Sequence, residues 1–283
     1  MLKKEILVAI DFSECSINAL EHAITIAQRA NSDLQMVWVG KPDSAKSDLE
    51  AQGETGTAEV ISRFDELVKK YKKKLEGQNF SYKLRYGKVY KEIIAEAHER
   101  NSLMIVCGTH GTAGFEEFWI GSNAFRIVTS APCPTITIRE GIQIRRTLSN
   151  IILPLDSTVE TRQKVPFTAY MAKLFNAKIH IVGLFTTQVF AVRDKVERYM
   201  DQVAKYLEEN GIHYQKVVLD ADNITDATIE YAKSVNANLI SIMTEQERTT
   251  ANLWLGPYAQ QMVNHSPFPV LSIQPKEFIR STY

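Results

Sequence analysis

Apolar residues in the first half of the chain follow two rhythms. Short apolar runs at residues 6–10, 34–39 (broken only by Gln35) and 103–107 have the length of strands, the first buried on both faces. Between the first two, Ile17, Leu20, Ala23, Ile24 and Ala27 recur at three- and four-residue spacing, which predicts one helical face ending at Ala30-Asn31-Ser32. A second helix is predicted over 59–75, with Val60, Ile61, Phe64, Leu67, Val68 and Tyr71 inward, and a third over 89–100, with Ile93, Ile94 and Ala97 inward. Residues 80–86 alternate Phe80, Tyr82, Leu84 and Tyr86 against Ser81, Lys83 and Arg85, a half-exposed strand. A helix over 122–129, a break at Pro132-Cys133-Pro134 and a strand over 135–138 complete the series. The polar stretch 40–58 reads as a surface loop. Strands that alternate with helices predict an α/β fold with a parallel sheet.

The same pattern then comes round again. Asn150-Ile151-Ile152-Leu153-Pro154-Leu155-Asp156 echoes the first strand, with Asp156 lying 145 positions after Asp11. Phe175-Asn176-Ala177 and His180 to Leu184 keep that offset from Ala30-Asn31-Ser32 and Gln35 to Val39. Beyond a shorter loop the offset becomes 135, so that 236–242 answers 101–107, Leu255-Gly256-Pro257 answers Ile120-Gly121-Ser122, and 266–273 answers 131–138. A long-period duplication predicts two tandem Rossmann-like domains, 1–140 and 148–276. Each is a five-stranded, mainly parallel sheet with helices on both faces, and residues 140–149 form the linker.

Composition narrows the partners. Of 283 residues, 33 are Lys or Arg and 33 are Asp or Glu, a neutral balance that argues against a general nucleic-acid or anionic-membrane binder. The run Lys69 to Lys74 reads as the solvated last turn of a helix, where cations favour the dipole. Cys15, Cys107 and Cys133 are odd in number and far apart, and with the scattered histidines they form no metal-ligand pattern. They read as small buried residues in a reduced compartment. Neither a signal-peptide core nor a long apolar run is present, so the default location is the cytoplasm.

The chemistry concentrates after the fourth strand. Cys107-Gly108-Thr109-His110-Gly111 leads, nine residues on, to Gly121-Ser122-Asn123 at a helix start. Glycines allow a sharp turn and close backbone approach to a ligand. A helix N-terminus favours an anion such as phosphate through its unpaired N–H groups and its dipole. Neither Gly-x-x-x-x-Gly-Lys-[Ser/Thr] nor Gly-x-Gly-x-x-Gly occurs, which excludes a P-loop and the standard dinucleotide fingerprint.

Gly108-Thr109-His110-Gly111, nine residues, Gly121-Ser122-Asn123, then Ala131-Pro132-Cys133-Pro134 and the 135–138 strand together resemble the universal stress protein family. Its ATP-binding members carry Gly-2x-Gly-9x-Gly-[Ser/Thr], and Ile6 to Ser13 resembles the family's first strand with its Asp-containing turn. The resemblance covers nearly the whole chain and makes it a tandem two-domain member. It implies ATP, with or without Mg²⁺, bound over the carboxyl ends of the central strands. Asp11, with Ala9 and Ile10, would lie near base and ribose, and Val39 against adenine. Cys107 takes the binding-site position before the first glycine, and Gly108, His110 and Gly111 would form the ribose and phosphate turn. Gly121, Ser122 and Asn123 would receive phosphate. No residue is assigned a catalytic or metal-ligating role, since nothing matches the lysine, base and metal-carboxylate set of an efficient phosphoryl-transfer enzyme.

In the second copy Met243 replaces Gly108, Gln246 replaces Gly111, Pro257 replaces Ser122 and Tyr258 replaces Asn123. Met and Gln do not readily take positive φ, and Pro lacks the N–H, so this half is expected not to hold ATP in the family's way. The resemblance thus implies a nucleotide-dependent regulator in stress response. A weak ATPase and a nucleotide-free dimerisation scaffold are the alternatives. It also implies a pseudo-dimer within the chain through 135–138 and 270–273, and a homodimer of chains as a further option.

Overall fold

A computed structural model describes residues 4–41, 54–110, 120–139, 147–244 and 255–275. The chain divides into two compact units, residues 1–142 and 143–283. In the first unit β1 (Glu5–Ala9), β2 (Asp33–Gly40), β3 (Phe80–Tyr86), β4 (Met104–Gly108) and β5 (Thr135–Ile138) lie in the order β3-β2-β1-β4-β5. All these neighbours are parallel, with Val8 opposite Met36 on one side and Val106 on the other. Alternate residues of these strands face opposite ways. Leu7, Val37, Ile105 and Cys107 pack under α3 (Val89–Glu99) and α4 (Ser122–Ser130), against Ile93, Ala97, Ala124 and Ile127. On the other face α1 (Glu14–Ala30) covers β4, and α2 (Glu54–Tyr71) buries Phe64, whose ring stacks on Tyr82 at 4.7 Å.

Most of the first-unit elements fall where periodicity predicts them. The expected 40–58 loop does not hold throughout: α2 already begins at Glu54, and residues 42–53 lie outside the described residues. Glu54-Thr55-Gly56-Thr57 reads as loop because Gly and Thr are poor helix formers. Tertiary contact overrides that preference, with the Thr57 hydroxyl 3.4 Å from the Tyr86 hydroxyl. Ile61 faces outward rather than inward, at 38% exposure. The α-helix stops at Tyr71 and tightens into a 3-10 turn over Lys72–Leu75, which buries Leu75 and leaves Lys72, Lys73 and Lys74 in water.

The second unit repeats the plan. β6 (Asn150–Leu155), β7 (Lys178–Phe185), β8 (Tyr214–Asp220), β9 (Leu239–Met243) and β10 (Val270–Ile273) are parallel in the order β8-β7-β6-β9-β10. α5 (Val165–Phe175) and α6 (Phe190–Glu209) cover one face, and α7 (Ile224–Ser234) and α8 (Pro257–His265) the other. Left-handed asparagines mark corresponding helix ends in both units: Asn31 and Asn176 at φ 47° and 51°, Asn101 and Asn236 at 49° and 50°. Asn tolerates this conformation better than other side chains do, so the stop signal has survived in both copies.

The buried polar clusters under the two sheets differ. In the first unit Glu96 is fully buried and meets Lys83 Nζ at 2.7 Å, Arg100 Nε at 3.3 Å and Arg85. Burial alone would raise its pKa, but hydrogen bonds from Lys83 and Arg85 outweigh that and hold its carboxyl below the usual range. The corresponding positions in the second unit carry a neutral set. There His180 Nδ1 lies 2.7 Å from the Tyr231 hydroxyl, and its Nε2 is 3.3 Å from Asn150 Oδ1.

Candidate functional site

Strand order reverses its direction of growth between β1 and β4, and at such a switch point the loops leave the strand ends in opposite directions and open a crevice. A cleft of about 480 Å³ lies there in the first unit. Ala9, Ile10, Asp11, Val39, Cys107, Gly108, His110, Gly121, Ser122 and Asn123 all line it, so ten of the eleven expected site residues converge. Gly111 lies outside the described residues. Val37, Trp38, Val89 and Ile93 also line the cleft, and periodicity alone marks them only as strand and helix positions. The strand order is what brings α3 and β2 to the same opening.

At one end of the cleft stands the turn after β1. Asp11 Oδ1 accepts from the Ser13 N–H at 3.0 Å and from its hydroxyl at 2.6 Å, while the Asp11 N–H donates to Ser16 Oγ at 3.4 Å. The cap of α1 is Ser13, which accepts from the Ser16 N–H, so Asp11 is released from capping and faces the cleft. Phe12 between them sits at φ 64°, a strained conformation for an aromatic residue. Packing holds it there: its ring is 4.9 Å from Phe64, and the Arg63 guanidinium lies 4.2 Å above it.

At the other end stands the N-terminus of α4. Its cap is Gly121, at φ −58°, a residue with no side chain to bond the opening turn. Ser122 and Asn123 are exposed and face the cleft, so the first amides of the helix are presented to it. The Gly121 N–H donates to the Thr109 carbonyl at 2.8 Å, and a Cβ on Gly121 would stand 3.0 Å from that oxygen. The glycine thus eases the close approach of two backbone segments. Beside it, the Thr109 hydroxyl and His110 Nδ1 share a 2.9 Å hydrogen bond.

The reason expected for Gly108 is corrected by the structure. It does not turn the chain at positive φ; it is the last residue of β4, in register with Ile138. A Cβ there would lie 2.7 Å from Cys15 Sγ and 3.2 Å from the Cys15 carbonyl carbon, so Gly108 lets α1 start close against the strand end. Cys107 points to the opposite face and packs with Ile105 and Ile127. Burial, with Cys15 nearby, pushes its thiol up to about 12, which leaves it a neutral packed group rather than a nucleophile.

The described residues that answer the cleft lining are more buried in the second unit. Pro154, Leu155, Leu184, Phe185, Met243 and Gly256 are all buried, whereas Ala9, Val39, Gly108 and Gly121 in the first unit are partly open. Met243 stands where Gly108 would be, and helix α5 starts only at Val165, with a 3-10 turn over Glu160–Arg162 before it. Trp38 is answered by Gly183, where a Cβ would be 2.5 Å from Met200 Sδ, so α6 settles onto β7. Arg193 lies 4.1 Å over the Phe185 ring and pairs with Asp220 at 2.6 Å. The Asp156 turn itself persists, with Thr158 N–H and hydroxyl both on Asp156 Oδ1.

The model of the universal stress protein family matches residues 3–139 and again 147–274, nearly the whole chain. The chain belongs to the universal stress protein family. Its two matches make it a tandem member. Universal stress protein MJ0531 of Methanocaldococcus jannaschii is 31% identical over 146 residues, which cover 49% of this chain and 84% of that protein. Universal stress protein YxiE of Bacillus subtilis is 27% identical over 149 residues, 48% of this chain and 98% of its own. Among solved structures, a universal stress protein from Archaeoglobus fulgidus covers 98% of this chain and 100% of its own at TM-score 0.73 and 16% identity, a likeness of fold.

Proposed function

We propose that the first unit binds an adenine nucleotide, ATP in particular, and that the protein acts in stress response as a nucleotide-dependent regulator rather than an efficient enzyme. The observation that carries this reading is the single cleft that joins the Asp11 turn to the uncapped start of α4. A helix N-terminus that presents free amides and no side-chain cap suits phosphate. The apolar walls at Ala9, Val37 and Val39 suit a flat base, with Asp11 placed to accept hydrogen bonds from ribose hydroxyls. The described lining supplies one carboxylate, Asp11, one imidazole, His110, and no lysine, which supports binding over phosphoryl transfer. Mg²⁺ would be carried chiefly by the nucleotide's own phosphates, since no group of three or more His, Cys, Asp or Glu among the described residues is placed to hold a metal.

Isothermal titration of nucleotide-free protein with ATP, with and without Mg²⁺, tests this in the wild type and in Gly121→Trp. Saturable binding in the wild type and a loss of at least about a hundredfold in the variant are expected, because the indole would occupy the approach to Thr109. A matching melting profile shows that the variant folds. Absence of binding in the wild type would transfer the reading to a nucleotide-free scaffold.

A further inference from the structure

We infer that Arg126 reads the phosphate charge of the bound nucleotide: its guanidinium rests on Tyr90 and turns onto the terminal phosphates when a charged tail arrives. The inference deepens the reading of the cleft given above and rests on it. Arg126 is exposed on α4, with its guanidinium carbon 4.8 Å from the centre of the Tyr90 ring. Among the described residues no carboxylate stands within ion-pair distance of it. Ser122 and Asn123, four and three positions earlier, line the cleft, so Arg126 follows them on one helical face. Helical side chains lean toward the N-terminus, so Arg126, which rests on Tyr90 beside the cleft lining rather than in it, is within a rotamer change of the turn that faces the cleft. Tyr90 adjoins Val89, another lining residue. A cation over an exposed ring is a weak restraint, whereas Arg with phosphate makes paired, charge-assisted hydrogen bonds.

The duplication supplies an internal control. At the offset of 135 residues Arg126 becomes Gln261 and Tyr90 becomes Thr225. Those two residues still touch, with the Thr225 hydroxyl donating to Gln261 Oε1 at 2.7 Å. The contact between the two helices has been kept and its charge removed, in the unit whose phosphate-receiving helix opens with Pro257 and whose strand ends are covered. A clamp that served packing alone would have no reason to lose its cation together with the phosphate site.

The test is titration of adenosine, AMP, ADP and ATP, at one ionic strength, into the wild-type chain and into Arg126→Gln, Arg126→Lys and Tyr90→Thr. Wild-type affinity is expected to rise with phosphate number. Arg126→Gln is expected to weaken ATP about tenfold while adenosine stays within about twofold, and Arg126→Lys to recover part of the loss. Tyr90→Thr is expected to leave ATP affinity unchanged or raised, since the guanidinium no longer has a ring to leave. If Arg126→Gln lowers adenosine and ATP equally, or neither, the inference is overturned while the cleft reading stands. If the wild type binds none of the four, the cleft reading falls and this inference with it.

Discussion

The two units share a strand order, helix stops and an aspartate turn, yet strand-end positions that are partly open in the first are buried in the second. In the first unit small residues, Ala9, Gly108 and Gly121, keep space over the sheet. In the second, Pro154, Leu184, Phe185 and Met243 occupy it, and Gly183 draws α6 inward through Met200. Charge follows the same division. Where the first unit buries Glu96 among Lys83, Arg85 and Arg100, the second has His180 and Tyr231. The same fold can thus be kept with very different interiors, provided that strand register and helix caps survive. At the strand ends the two copies differ in side-chain volume at Ala9/Pro154, Val39/Leu184 and Gly108/Met243, and in the turn that follows the first strand of each.

The largest effect expected from exchanging features between the units is at Glu96. Glu96→Ala leaves three cations facing an emptied site and should cost about 3 kcal/mol in urea unfolding, at the low end for a buried ion network because Lys83 and Arg100 are partly in water. Its neutral counterpart, Tyr231→Phe, should cost about 1 kcal/mol. Equal costs would erase the contrast. Because the folded-state pKa of Glu96 is depressed, its contribution is present above the unfolded value and is lost as pH falls below the ordinary carboxylate range.

Next comes Gly108→Met, which installs the second unit's residue in the first. With Cys15 Sγ only 2.7 Å from the position of the new Cβ, destabilisation of about 1–3 kcal/mol and loss of ATP binding are expected. Retention of both stability and binding would show that space at this position does not separate the copies. A third exchange is His22→Phe, which copies Phe167. His22 is buried, its Nε2 has no hydrogen-bond partner among the described residues, and burial holds its pKa down at about 4. The unfolded chain takes up this proton near the ordinary histidine value, so stability should fall with a slope of up to about 1.4 kcal/mol per pH unit from roughly pH 6.5 down to about 4. His22→Phe should flatten that slope in acid titrations of unfolding, and an unchanged slope would reject the assignment. Smallest of all, Asn31→Gly and Asn176→Gly should each shift stability by less than about 0.5 kcal/mol and by the same amount, since both sit at the same left-handed cap.

Much of this was readable from residue order. The alternation of short apolar runs with helical stripes located the strands, and the family resemblance carried by the glycine spacing and the Asp11 turn marked ten lining residues that the fold brings together. The purpose of Gly108 was hidden because its constraint is Cys15, more than ninety residues away, and no local pattern records that contact. The start of α2 was hidden for a similar reason, as Tyr86 anchors a stretch whose own preference is loop. Gly183 looks like an ordinary weak point in a strand until Met200 is seen above it. Local preferences announce elements, whereas steric exclusions between distant segments become visible only when the chain is folded.

An opening of about 480 Å³ is also interior that the first unit has left unfilled. A ligand that binds only the folded state adds stability in proportion to the logarithm of its concentration, about 2.7 kcal/mol at a hundredfold excess over Kd. In the second unit the described residues at the corresponding strand ends are buried, and under the proposed function they hold no nucleotide. Under the proposed function, resistance of the first half to proteases would rise and fall with the cell's nucleotide supply while that of the second stayed constant. The lifetime of the chain would then itself carry information about metabolic state, with no turnover of the ligand required.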